Sequence, residues 1–109
     1  MLFSGLTLVF LKLFAICLWL MLPPLLTLFA AITLLGQLVG KREGWSRFDS
    51  FYWAFITATT VGYGDIRPAS KGSRLLSILI ALLGLMFTGI VIAVAVQAAT
   101  VALKSMNLD

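Results

Sequence analysis

The sequence has no histidine, one cysteine and only four acidic residues in 109. A lone cysteine, Cys17, closes no disulfide within the chain. With no histidine beside it, a His/Cys metal centre has no ligand set in one chain. No nucleophile–base pair stands out, so an enzymatic role has no support and no cofactor is expected. Charge is missing over long stretches: no Asp, Glu, Lys or Arg lies in Leu13–Gln37 or in Leu75–Leu103. Each stretch is long enough to cross a hydrocarbon core, which takes roughly 20 apolar residues. With 61% hydrophobic residues and a mean hydropathy of +1.10, a soluble fold is excluded. The length bounds the chain to one domain.

The formal net charge is +4. Six of the eight basic residues (Lys41, Arg42, Arg47, Arg67, Lys71, Arg74) lie between the two apolar stretches. Beside a bilayer such residues read as headgroup anchors, and no nucleic-acid partner is expected. Cys17, inside the first stretch, reads as apolar packing or lipid contact. A cleaved leader is rejected: no cation precedes the first apolar run, and no small-x-small pattern follows it. Its removal would leave only Leu25–Gln37, too short to span.

The pattern places a first membrane helix at about residues 12–38, with Lys12 snorkelling to the interface. Residues 1–11 either extend this helix or lie in the interface. Pro23 and Pro24 fall within it and donate no N–H to the carbonyls of Trp19 and Leu20, so a kink is expected. After a charged, glycine-bearing turn, Ser46 is a good N-cap, with Asp49 three residues on. A short aromatic helix follows at about 47–59. At roughly 18 Å it cannot cross the bilayer. The loop "IRPASKG" leads to a second span at about 73–104. The order is span, half-helix, glycine-bearing loop, span. Irregular backbone at membrane depth is stable only inside protein or along a water-filled path, which points to a pore.

The loop reads "TATTVGYGD", Thr57–Asp65. Glycine at alternate positions permits backbone angles closed to other residues. Alternation of such angles can turn consecutive carbonyls to one side, where they replace the water around a cation. Thr60 adds a hydroxyl oxygen. One strand covers one side of an ion, so several copies must face a common axis. The preceding helix directs the negative end of its dipole toward the inner side of this site.

With an aromatic half-helix before it and a span on each side, this stretch resembles the pore domain of tetrameric potassium channels, most closely the bacterial type with two transmembrane helices. The resemblance covers about Lys12 to Lys104. It implies an all-α membrane protein: two transmembrane helices flank a re-entrant pore helix and a selectivity-filter loop, in a homotetramer with three further copies of the chain. The protein would lie in the lipid bilayer of the cell (plasma) membrane, filter entrance outside. Potassium, the transported ligand, would be held by the backbone carbonyls of Thr60, Val61, Gly62 and Tyr63 and by the Thr60 hydroxyl. Gly64 would close the strand and Asp65 cap it at the outer mouth. A pore-helix aromatic donates a hydrogen bond to that acid in the family, and the role is carried to Trp53. Val61 and Tyr63 side chains would wedge against the pore helix. Some bacterial members carry a glutamate where this chain has Ile56, so the acid–acid pairing with Asp65 cannot form. Arg67 stands where related channels meet external blockers. The intact "TVGYGD" argues against two other readings, a weakly selective cation pore and a non-conducting membrane subunit.

Gly84 lies where related channels bend their inner helix, and a hinge there competes with close packing alone. A helical plot puts Leu85, Thr88, Ile92 and Val96 on one stripe, read as cavity and gate lining. There is no arginine-repeat voltage sensor and no nucleotide motif. The chain is either an isolated pore domain or a very small channel, with any regulatory domain or subunit outside these residues. The positive-inside rule alone would put the inter-span loop in the cytoplasm. The filter motif, being more specific than a charge count, puts it outside.

Overall fold

The computed structural model describes residues 2–106. Their regular structure is helical: α1 Leu2–Leu20, α2 Leu22–Glu43, α3 Arg47–Ala58 and α4 Lys71–Ser105. Where the sequence places one helix over 12–38, there are two, parted at Met21. The cause is the proline pair. Helical hydrogen bonds run up to and beyond the break, Met21 N–H to Cys17 O at 3.0 Å and Leu25 N–H to Met21 O at 3.2 Å. Pro23 and Pro24 have no N–H for the carbonyls of Trp19 and Leu20. Residues 2–11 are helical and continuous with the rest of α1, because nothing in that run breaks a helix.

Three helices, rather than the two expected, are long and apolar enough to cross a membrane: α1, α2 and α4. At about 1.5 Å per residue α4 is about 52 Å long, beyond a hydrocarbon core of about 30 Å. The 12-residue α3 is too short to cross.

The chain forms two compact units. One combines residues 2–25 with 89–106. Val94, Ala98 and Ala102 are buried there at helical spacing on α4, and Gly5 lies against Met106. The other unit, Leu26–Thr88, holds a core of Ile32, Val39, Trp53, Ala54, Ala58 and Ile80. Its centre is α3, enclosed by the later part of α2 and the first part of α4. Small residues set this approach. A methyl group on Gly40 would collide with the Ser50 side chain, and one on Gly36 with Ala54. A methyl on Gly84 would collide with the backbone of Ala58. So α3 lies in a notch made by Gly36 and Gly40 on one side, and α4 closes on its last turn at Gly84.

Candidate functional site

The start of α3 is fixed locally. Ser46, extended at φ −66° and ψ 163°, accepts from the Asp49 N–H at 3.1 Å, the N-cap bond its type and position predict. Asp49 in the first turn suits the positive end of the helix dipole. Upstream, the Trp45 N–H donates to Gly40 O at 2.8 Å and closes the end of α2.

At its other end α3 runs directly into the loop. Thr59 is the C-cap, its hydroxyl donating to Phe55 O at 2.8 Å. Thr60 N–H donates to Thr57 O and Gly62 N–H to Ile56 O, both at 3.2 Å, so the loop's first residues hang from the helix's last carbonyls. Beyond them the backbone alternates. Thr60, Gly62 and Gly64 have φ of 68°, 55° and 83°, whereas Val61 and Tyr63 do not have positive φ. A helix or strand keeps one sign of φ. A methyl group on Gly62 or Gly64 would meet nothing within 4 Å, so these glycines serve conformation rather than space. Thr60 adopts the same region without that freedom, at a cost of about 1–2 kcal/mol.

The far end of the loop is tied down by four hydrogen bonds. The Tyr52 hydroxyl donates to Asp65 Oδ2 at 3.1 Å. Arg74 Nε donates to Pro68 O at 3.3 Å. Glu43, the last residue of α2, accepts from Ala69 N–H at 2.6 Å and from the Ser70 hydroxyl at 3.0 Å. Partial removal from water, then the bond to Asp65, pushes the Tyr52 phenol above its ordinary value.

The sequence assigns the bond to Asp65 to Trp53, and here the structure differs. Trp53 is 5% exposed and packs edge-on to Trp45, ring centroids 5.2 Å apart. The buried face of α3 is Ser50, Trp53, Ala54 and Ala58. A residue one position earlier is turned by about 100°, and this brings Tyr52 to the loop. The roles of the two aromatics are therefore divided: Tyr52 bonds to the acid, Trp53 fills the core.

Behind the loop lies a cavity of about 220 Å³ whose lining includes Tyr52, Ile56, Tyr63, Asp65, Arg67 and Ser77. Ile56 keeps this space free of a second carboxylate. Tyr63 and Val61 are 69% and 51% exposed, so the single chain does not hold their side chains. On α4, Leu85, Ile92 and Val96 are exposed and Thr88 is half-buried. Close approach of Ala58 accounts for glycine at position 84 without a hinge. Sequence reasoning missed Tyr52 and Glu43. The signal for Tyr52 was its place beside Trp53, whereas Glu43 meets partners 26 and 27 positions away.

Comparison with known proteins gives the site its family. The model of the ion channel family matches residues 6–101. A potassium channel protein of the TWiK family from Caenorhabditis elegans is 51% identical over 53 residues, 49% of this chain and 10% of the relative. A voltage-gated potassium channel from Aeropyrum pernix is 48% identical over 40 residues, 37% of this chain and 14% of the relative. Human potassium voltage-gated channel subfamily A member 5 is 47% identical over 38 residues, 35% of this chain and 6% of the relative. The chain thus spans at most about a seventh of the length of these curated relatives. No solved structure matches it. The family model covers most of the chain, and the chain belongs to the ion channel family.

Proposed function

We propose that four copies of this chain surround one axis and conduct potassium selectively through the loop Thr60–Gly64. The observation that carries this reading is the alternation of positive φ at 60, 62 and 64. Such a backbone can present the carbonyls of Thr60, Val61, Gly62 and Tyr63, with the Thr60 hydroxyl, to a dehydrated cation. The other surface of the loop has a brace in Tyr52 and Asp65. Exposed Val61 and Tyr63 favour assembly, since a neighbouring copy would supply the packing that one chain lacks.

Two membrane crossings serve this reading. The outer one lies about residues 12–38, across the proline break, and the inner one lies within α4 at about 73–104. The filter entrance faces outside the cell membrane. Leu85, Thr88, Ile92 and Val96 line the inner route, and four Val96 side chains form an apolar constriction that closes by dewetting. Potassium is cargo, so no resident cofactor is invoked.

The test is the reversal potential of the purified chain in a planar bilayer under opposed potassium and sodium gradients. A value near the potassium equilibrium potential is expected, with a tetramer mass in native conditions. Equal permeability would replace this reading with a weakly selective pore. A folded tetramer without current would replace it with a non-conducting subunit.

A further inference from the structure

The loop that leads from Asp65 into α4 carries a cluster of cations. Arg67, Lys71 and Arg74 fall within the eight residues "RPASKGSR", and all three are exposed. Arg42, near the end of α2, joins them: a methyl group on Gly72 would meet its guanidinium at 2.8 Å. We propose that this surface binds an acidic polysaccharide chain at the outer face of the membrane. The proposal rests on the outward orientation given above, and not on conduction or selectivity.

Charge is the first reason. Two acids stand close by, and neutral donors engage both: Ala69 and Ser70 bind Glu43, and Tyr52 binds Asp65. None of the four cations forms an ion pair among the described residues. Four cations against two acids leave +2 per copy. Their placement also runs against local preference. Lys71 and Arg74 lie in the first turn of α4, which has no acid, where the helix dipole disfavours cations. Membrane insertion likewise favours Lys and Arg on the inner side. An anionic partner accounts for a basic surplus that neither the helix nor the topology favours.

The surroundings select the kind of anion. Between the cations lie Pro68, Ala69, Ser70 and Gly72, with no aromatic and no long aliphatic side chain. A protein partner would need such an anchor, and the bases of a nucleic acid an aromatic face on which to stack. A lipid would need apolar surface for its acyl chains, and that of α4 starts only at Leu75, one turn beyond Lys71. A polysaccharide needs only spaced carboxylate or sulfate oxygens, which forked guanidinium groups take in pairs. The loop is also held before any partner arrives. Glu43 fixes Ala69 at 2.6 Å and Ser70 at 3.0 Å, and Arg74 Nε donates to Pro68 O at 3.3 Å. Little freedom is lost when a chain settles on such a surface.

The test uses the full chain in mild detergent with fluorescently labelled heparin, read by anisotropy. Heparin is expected to bind, uncharged dextran of equal length is not, and binding should weaken steeply as salt rises. Arg67→Gln with Lys71→Gln should weaken it about tenfold or more, each exposed pair contributing up to about fivefold. Lys12→Gln with Lys104→Gln removes the same charge elsewhere and should leave it unchanged. If the first double variant fails to assemble, Arg67→Gln and Lys71→Gln singly should each weaken binding, by up to about fivefold. Equal losses in both double variants, or equal binding of poly-glutamate, would reduce the effect to net charge and overturn the site. Displacement by inorganic sulfate or phosphatidylglycerol at matched charge would make it a free-anion or lipid site instead. Labelled heparin should also decorate intact cells that express the chain. Decoration only after permeabilisation would reverse the orientation and overturn the proposal with it. Failure of heparin to bind a chain that still conducts potassium would overturn this inference alone.

Discussion

Tyr52 and Asp65 are joined by a hydrogen bond of 3.1 Å from phenol to carboxylate, across the 13 positions that separate the half-helix from the end of the filter loop. The bond ties the loop's far end to the element from which the loop starts.

Tyr52→Phe keeps the ring and removes the donor. The proposed tetramer should form normally, while its open probability and rate of inactivation shift several-fold. Trp53→Phe should do the reverse: it alters packing against Trp45 and lowers the thermal stability of the assembly. Single-channel recording together with thermal unfolding of both variants distinguishes the roles. Equal effects on gating would undo the assignment. A pH signature follows too. The folded phenol is raised above its ordinary value, so its contribution is complete below the ordinary phenol value and is lost progressively as pH rises from there through the raised value. Gating that depends on Tyr52 should therefore be insensitive to moderate external alkali.

A second prediction concerns Glu43, whose two carboxylate oxygens take one donor each from Ala69 and Ser70. Glu43→Gln leaves one oxygen acceptor and removes the negative charge before the N-terminus of α4. The assembly should dissociate at lower temperature, and Glu43→Ala should be worse. Exchange of the Ala69 amide hydrogen should quicken in both variants. Unchanged exchange would mean that the carboxylate does not hold this loop.

Glycines separate by surroundings. Gly40→Ala drives a methyl into Ser50 and should cost about 1–3 kcal/mol, enough to unseat α3. Gly89→Ala meets nothing within 4 Å and removes a helix-weakening residue, so it should be neutral or gain up to about 1 kcal/mol. Melting temperatures of the two variants in one detergent decide this.

At Gly62, the positive φ of 55° predicts a dependence on chirality. An L-alanine there should disturb the loop and reduce conduction, whereas D-alanine, introduced by semisynthesis, should be accepted. If both are tolerated equally, the backbone at 62 is not held in that conformation.

Much of the site was legible because its causes are local. The alternation at 60, 62 and 64 follows from glycines two apart beside a threonine, and the Ser46 cap needs only three residues. The proline break is equally local, although its effect, two helices in place of one, depends on how far helix continues on either side. Tyr52 was not legible because the rotation of α3 is set at a distance. Only when Ser50 and Ala54 meet Gly40 and Gly36 is Trp53 turned inward and its neighbour toward Asp65. Glu43 was hidden for the same reason, as its partners follow the entire half-helix and filter.

Thr60 shares the left-handed backbone of Gly62 and Gly64 without being a glycine. A glycine would hold that conformation without strain, so the side chain must repay about 1–2 kcal/mol in each copy, or about 4–8 kcal/mol over the four copies proposed. Only the hydroxyl and methyl group can do so. At the inner end of the proposed ion path, a ring of four hydroxyl oxygens is the one feature that carbonyls alone could not supply. Threonine thus stands at position 60 against the preference of its own backbone, and under the proposed function that strain falls where its hydroxyl would add an oxygen to those of the carbonyls.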